Sequence, residues 1–316
     1  MTAADQSKRQ SFPSSILKAM ALPPPSHNQA YCNVSALEGG IIRLPLRRFV
    51  QDADPSTAIT APVLSFLIQH STKTSEKFLF DLGLRKDWHN YPPAVVKLIE
   101  TLIVDVPQDV VESLAKGDLS PTDITTCCLS HVHFDHVGDT RPFTKCTFLV
   151  GGAAETLFNP GYPTKPTSSF AESLLPADRT TFMSLNGWKP IGPFPRAYDF
   201  FGDGSLYIID APGHLAGHIN VLARTSPDGG WIFLAGDSAH DWSLINGNAQ
   251  ISQGPPAWPS ASGCAHVNKK DAEEHIGRIR ELTKEPRVRV LLAHDTPWYA
   301  ENKATASFWP GKIATL

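Results

Sequence analysis

Residues 129–139 read LSHVHFDHVGD, three histidines and two aspartates in eleven positions. The run DITTCCLS (123–130) leads into them and CTFLVGG (146–152) follows, both short and β-branched, so the cluster begins where a strand ends. Alternate residues of an extended segment face one side, so His131 and His133 present two imidazoles to one point. A turn after Phe134, which Gly138 helps to close, brings Asp135 and His136 to a neighbouring point. Imidazole and carboxylate without thiolate suit zinc, and also iron, cobalt or manganese. A solvated histidine-rich turn is the plainer reading of such a run. Against it, ligand types recur at the ends of later apolar runs: His214 in DAPGHLAGH (210–218), Asp237 in LAGDSAH (234–240) and His294 in LLAHD (291–295). The residues point to a metal site with one ion or two.

Outward from the cluster, VLSFLIQHS (63–71) and KFLFDLGL (77–84) read as a hairpin. PPAVVKLIETLI (92–103), PQDVVESLAKG (107–117) and DAEEHIGRIRELTKE (271–285) carry apolar residues at helical spacing. SLYIIDAPGH (205–214), INVLARTS (219–226) and WIFLAGDSAH (231–240) read as strands of a second sheet, and VRVLLAHD (288–295) as a buried strand ending in histidine. Residues 157–200, with stretches such as NPGYPTKPTSS, read as an irregular insertion or lid and a candidate substrate wall. Residues 1–28 read as a mobile leader and 29–316 as a single catalytic domain, two sheets covered by helices.

Composition narrows the class. The 31 acidic and 28 basic residues give a formal net charge of −3 without long runs of one sign, which argues against nucleic acid as a partner. No apolar window approaches the ~20 residues of a membrane span, so no membrane partner is expected. Five cysteines, with Cys127 and Cys128 adjacent, suit core filling in a reducing compartment, and the expected location is the cytoplasm. Aromatics of the irregular segments, Phe158, Tyr162, Trp188, Phe194, Trp242, Trp258 and Trp298, are candidates to line an apolar pocket. His27, His70, His266 and His275 have no partner spacing and read as structural, and His89 reads as surface.

Taken in order, HVHFDH (131–136), the Gly213-His214 turn, Gly236-Asp237 and the strand-end His294 resemble the metallo-β-lactamase superfamily with its H-x-H-x-D-H signature, over roughly residues 38–300. The resemblance implies a four-layer αββα sandwich. It implies that His131, His133 and His214 hold one metal ion, that Asp135, His136 and His294 hold a second, and that Asp237 bridges them. The ions would be divalent, zinc first, with iron, manganese or cobalt as alternatives, sharing a water whose hydroxide attacks a carbonyl. An aspartate stands where the true β-lactamases place a cysteine near the bridging position, which favours the branches that include glyoxalase II and the N-acyl homoserine lactone lactonases. SHVHFDHVGD looks closest to the lactonases.

Those lactonases carry a tyrosine three residues after the bridging aspartate, where this chain has His240. His240 is therefore the candidate donor to the oxyanion or acid for the leaving group, and Asp135 the proton shuttle. Asp81 in FLFDLG (78–83) either orients a ligand from behind or caps a turn, and His218 braces His214 rather than binding metal. The implied function is a dinuclear metal-dependent hydrolase opening a lactone or related cyclic ester or lactam. The alternatives are an acyl thioesterase of the glyoxalase II type and an iron-dependent oxygenase on the same fold. The expected partner is a small-molecule substrate with an apolar or aromatic moiety, met by a monomer or homodimer.

Overall fold

The computed structural model describes residues 21–253 and 263–316. The expected leader lies outside the described residues up to residue 20, as does Trp258. The first strand, β1 (Cys32–Pro45), carries Gly39 and Gly40 at its middle, where its antiparallel register with β2 (Ala58–His70) shifts between Glu38 and Ile41. A bulge of this kind erases the two-residue alternation that would mark a strand, and no element is expected there from sequence.

From β2 the first sheet grows in sequence order. β3 (Lys77–Phe80) pairs antiparallel with β2, Phe66 opposite Phe80, which is the expected hairpin. A crossover through α1 (Pro93–Leu102), β4 (Val104–Asp105) and α2 (Val110–Ala115) leads to β5 (Thr126–Cys128), β6 (Thr147–Gly151) and β7 (Thr180–Met183), which add in parallel. The order is β4-β1-β2-β3-β5-β6-β7. The second sheet takes β8 (Lys189–Ile191), β9 (Phe194–Asp199), β10 (Leu206–Asp210), β11 (Ile219–Arg224) and β12 (Trp231–Leu234) as antiparallel neighbours, then β13 (Val288–Leu291) parallel to β12.

Residues 180–199 thus form β7, β8 and β9 rather than irregular chain. Pro190 and Pro195 break their alternation, and β8 is an edge strand, where a proline forfeits no ladder bond. The loop before them, through about residue 176, is irregular as expected, held by an isolated bridge of Tyr162 to Ala171.

The sheets face each other through Val34, Phe66, Phe78, Phe80 and Cys128 on one side and Ile208, Val221, Ile232 and Leu234 on the other. Outside the first sheet, Val95, Ile99 and Leu102 of α1 and Val110 and Leu114 of α2 are buried. Outside the second, Ile276, Ile279 and Leu282 of α5 (Lys269–Leu282) join Leu222 and Phe233 in the core. The layers run helix, sheet, sheet, helix, the αββα sandwich that the sequence implied. Three short helices, α3 (Phe134–Val137), α4 (Trp242–Asn246) and α6 (Thr296–Asn302), follow the ends of β5, β12 and β13 and crowd one rim. None of the five cysteines forms a disulfide, and all are buried. Among the described residues no helix is long and apolar enough to cross a membrane.

Candidate metal centre

β5 ends at Cys128, and the chain turns at once into the histidine cluster. His133 caps α3, which carries Asp135 and His136 inward, both buried. The buried Tyr91 hydroxyl donates to Phe134 O at 3.0 Å and Gly138 O at 3.2 Å, clamping both ends of this turn. Gly138 leaves it at φ +51°, where a Cβ would stand 2.4 Å from Leu82 O, so only glycine closes it.

The turn meets residues from three other strand ends. Nε2 of His131 lies 2.9 Å from Nδ1 of His133, and Nε2 of His214 lies 3.2 and 3.0 Å from those two atoms. Asp237 Oδ2 is 3.4 Å from His214 Nε2 and 3.8 Å from His131 Nε2. On the other side of that carboxylate, Asp237 Oδ1 is 3.2 Å from His136 Nε2 and 3.5 Å from His294 Nε2, and Asp135 Oδ2 is 3.5 Å from His294 Nε2. Metal–nitrogen bonds of about 2.0–2.1 Å in a tetrahedron place ligand atoms about 3.3–3.4 Å apart. The separations of the first group, 2.9–3.8 Å, and of the second, 3.2–3.5 Å, bracket that value. His136 Nε2 and Asp237 Oδ1 are buried without a hydrogen-bond partner, as donors to a cation are. The donor set accommodates two divalent ions.

Behind these atoms stands a shell that fixes their orientation. Asp81 Oδ2 is 2.8 Å from His136 Nδ1 and accepts from Ser130 Oγ at 2.7 Å, while its Oδ1 accepts from Ser130 N at 2.6 Å. Of the two sequence readings of Asp81, the structure places it behind a candidate ligand. Ser130 Oγ, its proton given to Asp81, accepts at 3.0 Å from His131 Nδ1, and Pro62 O accepts at 2.9 Å from His294 Nδ1. Each bond puts the proton on Nδ1 and turns the Nε2 lone pair inward. His218 Nε2 accepts from Asp237 N at 3.2 Å and its Nδ1 donates to Ala211 O at 3.0 Å, so it braces the Asp237 turn.

The two groups differ electrostatically. Burial holds His131 and His214 well below the usual histidine range and His133 down to about 4, so these imidazoles are neutral. Burial also opposes charge at His136 and His294, but the carboxylates around them outweigh it, Asp237 foremost, and raise both. At Asp237 burial is outweighed by His136, His240 and His294, which hold its pKa well below the carboxylate range.

No family model matches the chain. The metallo-hydrolase mfmC of Annulohypoxylon moriforme is 32% identical over 275 residues, covering 77% of this chain and 72% of that protein. The chain belongs to the metallo-β-lactamase superfamily of hydrolases. A gamma-lactamase of Gibberella moniliformis is 39% identical over 51% of the chain and 70% of that protein. The cytochrome P450 monooxygenase mpaDE' of Penicillium brevicompactum is 32% identical over 95% of the chain, which spans only 37% of its length. Among solved structures, an N-acyl homoserine lactone hydrolase with N-hexanoyl-L-homoserine at its catalytic metal center superposes with a TM-score of 0.67 at 16% identity, covering 90% of this chain and 99% of that one. A dizinc quorum-quenching lactonase, AidC, gives 0.58 at 14% identity, with 92% of each chain covered. The solved structures establish the shared fold.

In this superfamily member a cleft of about 510 Å³ opens onto His133, Asp135, His214, Asp237, His240 and His294. Its remaining walls are Ile42 and Leu44 of β1, Phe49, Leu98 and Leu102 of α1, Phe134 and Ala265. None of the described aromatics expected to line a pocket, Phe158, Tyr162, Trp188, Phe194, Trp242 and Trp298, is among them. Phe194 stacks on Phe233 in the core at 4.9 Å, Trp298 packs against Phe308, and Trp188 against Tyr198. His240 Nε2 lies 3.1 Å from Asp237 Oδ2, its ring stacked on Phe49 at 4.1 Å. His89 is exposed and stacked on Trp88. His70 pairs with Asp203 at 2.9 Å and His275 with Asn220 at 2.7 Å. Cys127 lies against Cys146 and Cys128 between the sheets, so neither faces the centre. His266, read as structural, instead lies beside His214 and His240, with ring centroids 5.2 and 5.7 Å away.

Proposed function

We propose that the chain is a dinuclear metal hydrolase that opens a lactone or lactam carrying an apolar moiety. The observation that carries this reading is Asp237, whose two carboxylate oxygens face two different groups of ligand-type atoms. His131, His133, His214 and Asp237 Oδ2 would hold one ion, and Asp135, His136, His294 and Asp237 Oδ1 the other. Zinc is the first candidate on the chemistry of three imidazoles and a carboxylate. When bound, a pair of divalent ions supplies an acidified shared water and polarises a carbonyl.

The chain's own groups do the rest. The aliphatic walls of the cleft hold the apolar part of the substrate and exclude water from the reacting carbonyl. His240, fixed by Phe49, is the donor to the oxygen that gains charge on attack, in the place of the lactonases' tyrosine. Asp135 carries the proton from the attacking water to the departing alkoxide or amine. The activities for which the relatives are named, a gamma-lactamase among them, support a cyclic ester or amide as substrate. Five cysteines without a disulfide support a reducing, cytoplasmic setting. Metal analysis of the purified chain, joined to a hydrolysis screen over lactones, lactams and thioesters, tests this. Two equivalents of metal and ring opening are expected, and turnover of thioesters alone would refute it.

A further inference from the structure

His214 and His240 converge a second time, on His266, a buried imidazole to which the hydrolytic scheme gives no part. Their ring centroids stand 5.2, 5.3 and 5.7 Å apart, and all three side chains are buried, His266 completely. His266 is held there by its backbone: Val267 N donates to His214 O at 3.0 Å and Asn268 N to Gly213 O at 2.9 Å. Among the described residues its ring has no hydrogen-bond partner at either nitrogen, and Nδ1 of His214 and Nδ1 of His240 are likewise buried without one. Leaving buried polar atoms unmet is costly, so a cluster of them marks a place for a polar guest.

The size of that place says what the guest is. One ring nitrogen from each histidine lies within 4.8 Å of the others. Three points so spaced admit one oxygen at about 2.8 Å from all of them, an ordinary hydrogen-bond length. No carboxylate faces His266 in this group of three imidazoles, and a neutral imidazole offers one donor and one acceptor. A hydroxyl, which also donates and accepts, matches such a set. The place adjoins the scissile position, because His240 is 3.1 Å from the shared carboxylate and His214, His240 and Ala265 line the cleft.

Resting on the lactone-opening reading, we propose that His266, with His240, forms a specificity subsite for a substrate hydroxyl one or two bonds from the scissile carbonyl. The test compares γ-decalactone with α-hydroxy-γ-decalactone on the metal-loaded full chain, with their ring-opened acids titrated by calorimetry. The wild type should favour the hydroxylated compound at least tenfold in kcat/KM and in affinity. His266→Phe should drive that ratio toward one through KM, and His266→Gln, which keeps a donor and an acceptor, should recover part of it at unchanged metal content. A wild-type ratio near one, or a ratio that His266→Phe leaves intact, overturns the subsite. So does a third equivalent of zinc in the wild type that His266→Phe removes, since the guest is then a cation. A wild type that opens no lactone sinks the reaction assigned above, and the calorimetric ratio alone then decides the subsite.

Discussion

The carboxylate of Asp81 lies 2.8 Å from Nδ1 of His136 in the interior, on the side away from the cleft, while Nε2 of the same ring faces Asp237. A metal-ligating imidazole backed by a carboxylate is fixed in tautomer and made more basic. Asp81→Asn keeps the shape and removes the charge, and asparagine tolerates the backbone at φ +64°. Metal affinity should fall about 10- to 100-fold. Competition against a chromophoric chelator measures it, and an unchanged affinity would return Asp81 to the role of a turn cap.

Asp237 and His240 are three residues apart yet predict different phenotypes. Asp237→Asn removes the oxygens that face both donor groups, so metal content and rate should fall together. His240→Ala removes a group placed against the substrate, so metal should stay while kcat drops about 100-fold, the scale of a lost oxyanion donor. Metal analysis beside steady-state kinetics separates the two. A His240 variant with normal kcat removes that residue from the mechanism.

Charge in the carboxylate-rich half fixes the sign of a pH effect. The carboxylates of Asp237, Asp81 and Asp135 raise His136 well above the usual histidine value, so the metal-free protein holds a proton there at pH 7. A ligand must be deprotonated to bind, so loading should release about one proton or more and affinity should rise with pH between 6 and 8. Zinc titration by calorimetry in buffers of different ionisation enthalpy counts these protons. Zero release would contradict a ligand role for His136.

Much of the centre was legible because its signals are local. HVHFDH stands on one strand-to-helix turn, and His214, Asp237 and His294 each close an apolar run. What stayed hidden is tertiary. The Gly39-Gly40 bulge disguised β1, and with it the Ile42 and Leu44 wall of the cleft. His266 lies in a stretch with no periodicity, and its neighbours His214 and His240 are distant in sequence, so no spacing could flag it. The pocket aromatics were misread because irregular sequence around a tryptophan or phenylalanine does not say which layer it packs into.

Gly138 ties the fold to the site through backbone alone. With φ at +51° and Leu82 O only 2.4 Å from where a Cβ would stand, Gly138→Ala strains the turn and pushes it off Leu82, just past the end of β3. A destabilisation on the order of 2 kcal/mol, or about 3 °C in Tm for a chain of this length, is expected, with weakened metal binding because the turn carries Asp135 and His136. Thermal denaturation of metal-free and loaded protein checks both. An unshifted melt would mean that the turn has room the structure does not show.

The aliphatic wall makes the last prediction. Leu98 is partly exposed on the cleft side of α1, next to Leu102, while Ile99 of the same helix is buried beneath the sheet. An acyl or alkyl chain lying on Leu98 leaves water at about 25 cal/mol per Å² of apolar surface, so a few methylenes account for about 1.5–3 kcal/mol, roughly a 10- to 100-fold range in KM. Leu98→Asp places an unpaired charge on that surface without touching any candidate metal donor. Its effect should therefore grow with chain length: KM for a decalactone rises about tenfold or more, KM for butyrolactone changes little, and kcat for both is nearly retained. A chain-length series on the variant and the wild type reads this directly. Equal losses along the series would place the apolar part of the substrate elsewhere in the cleft.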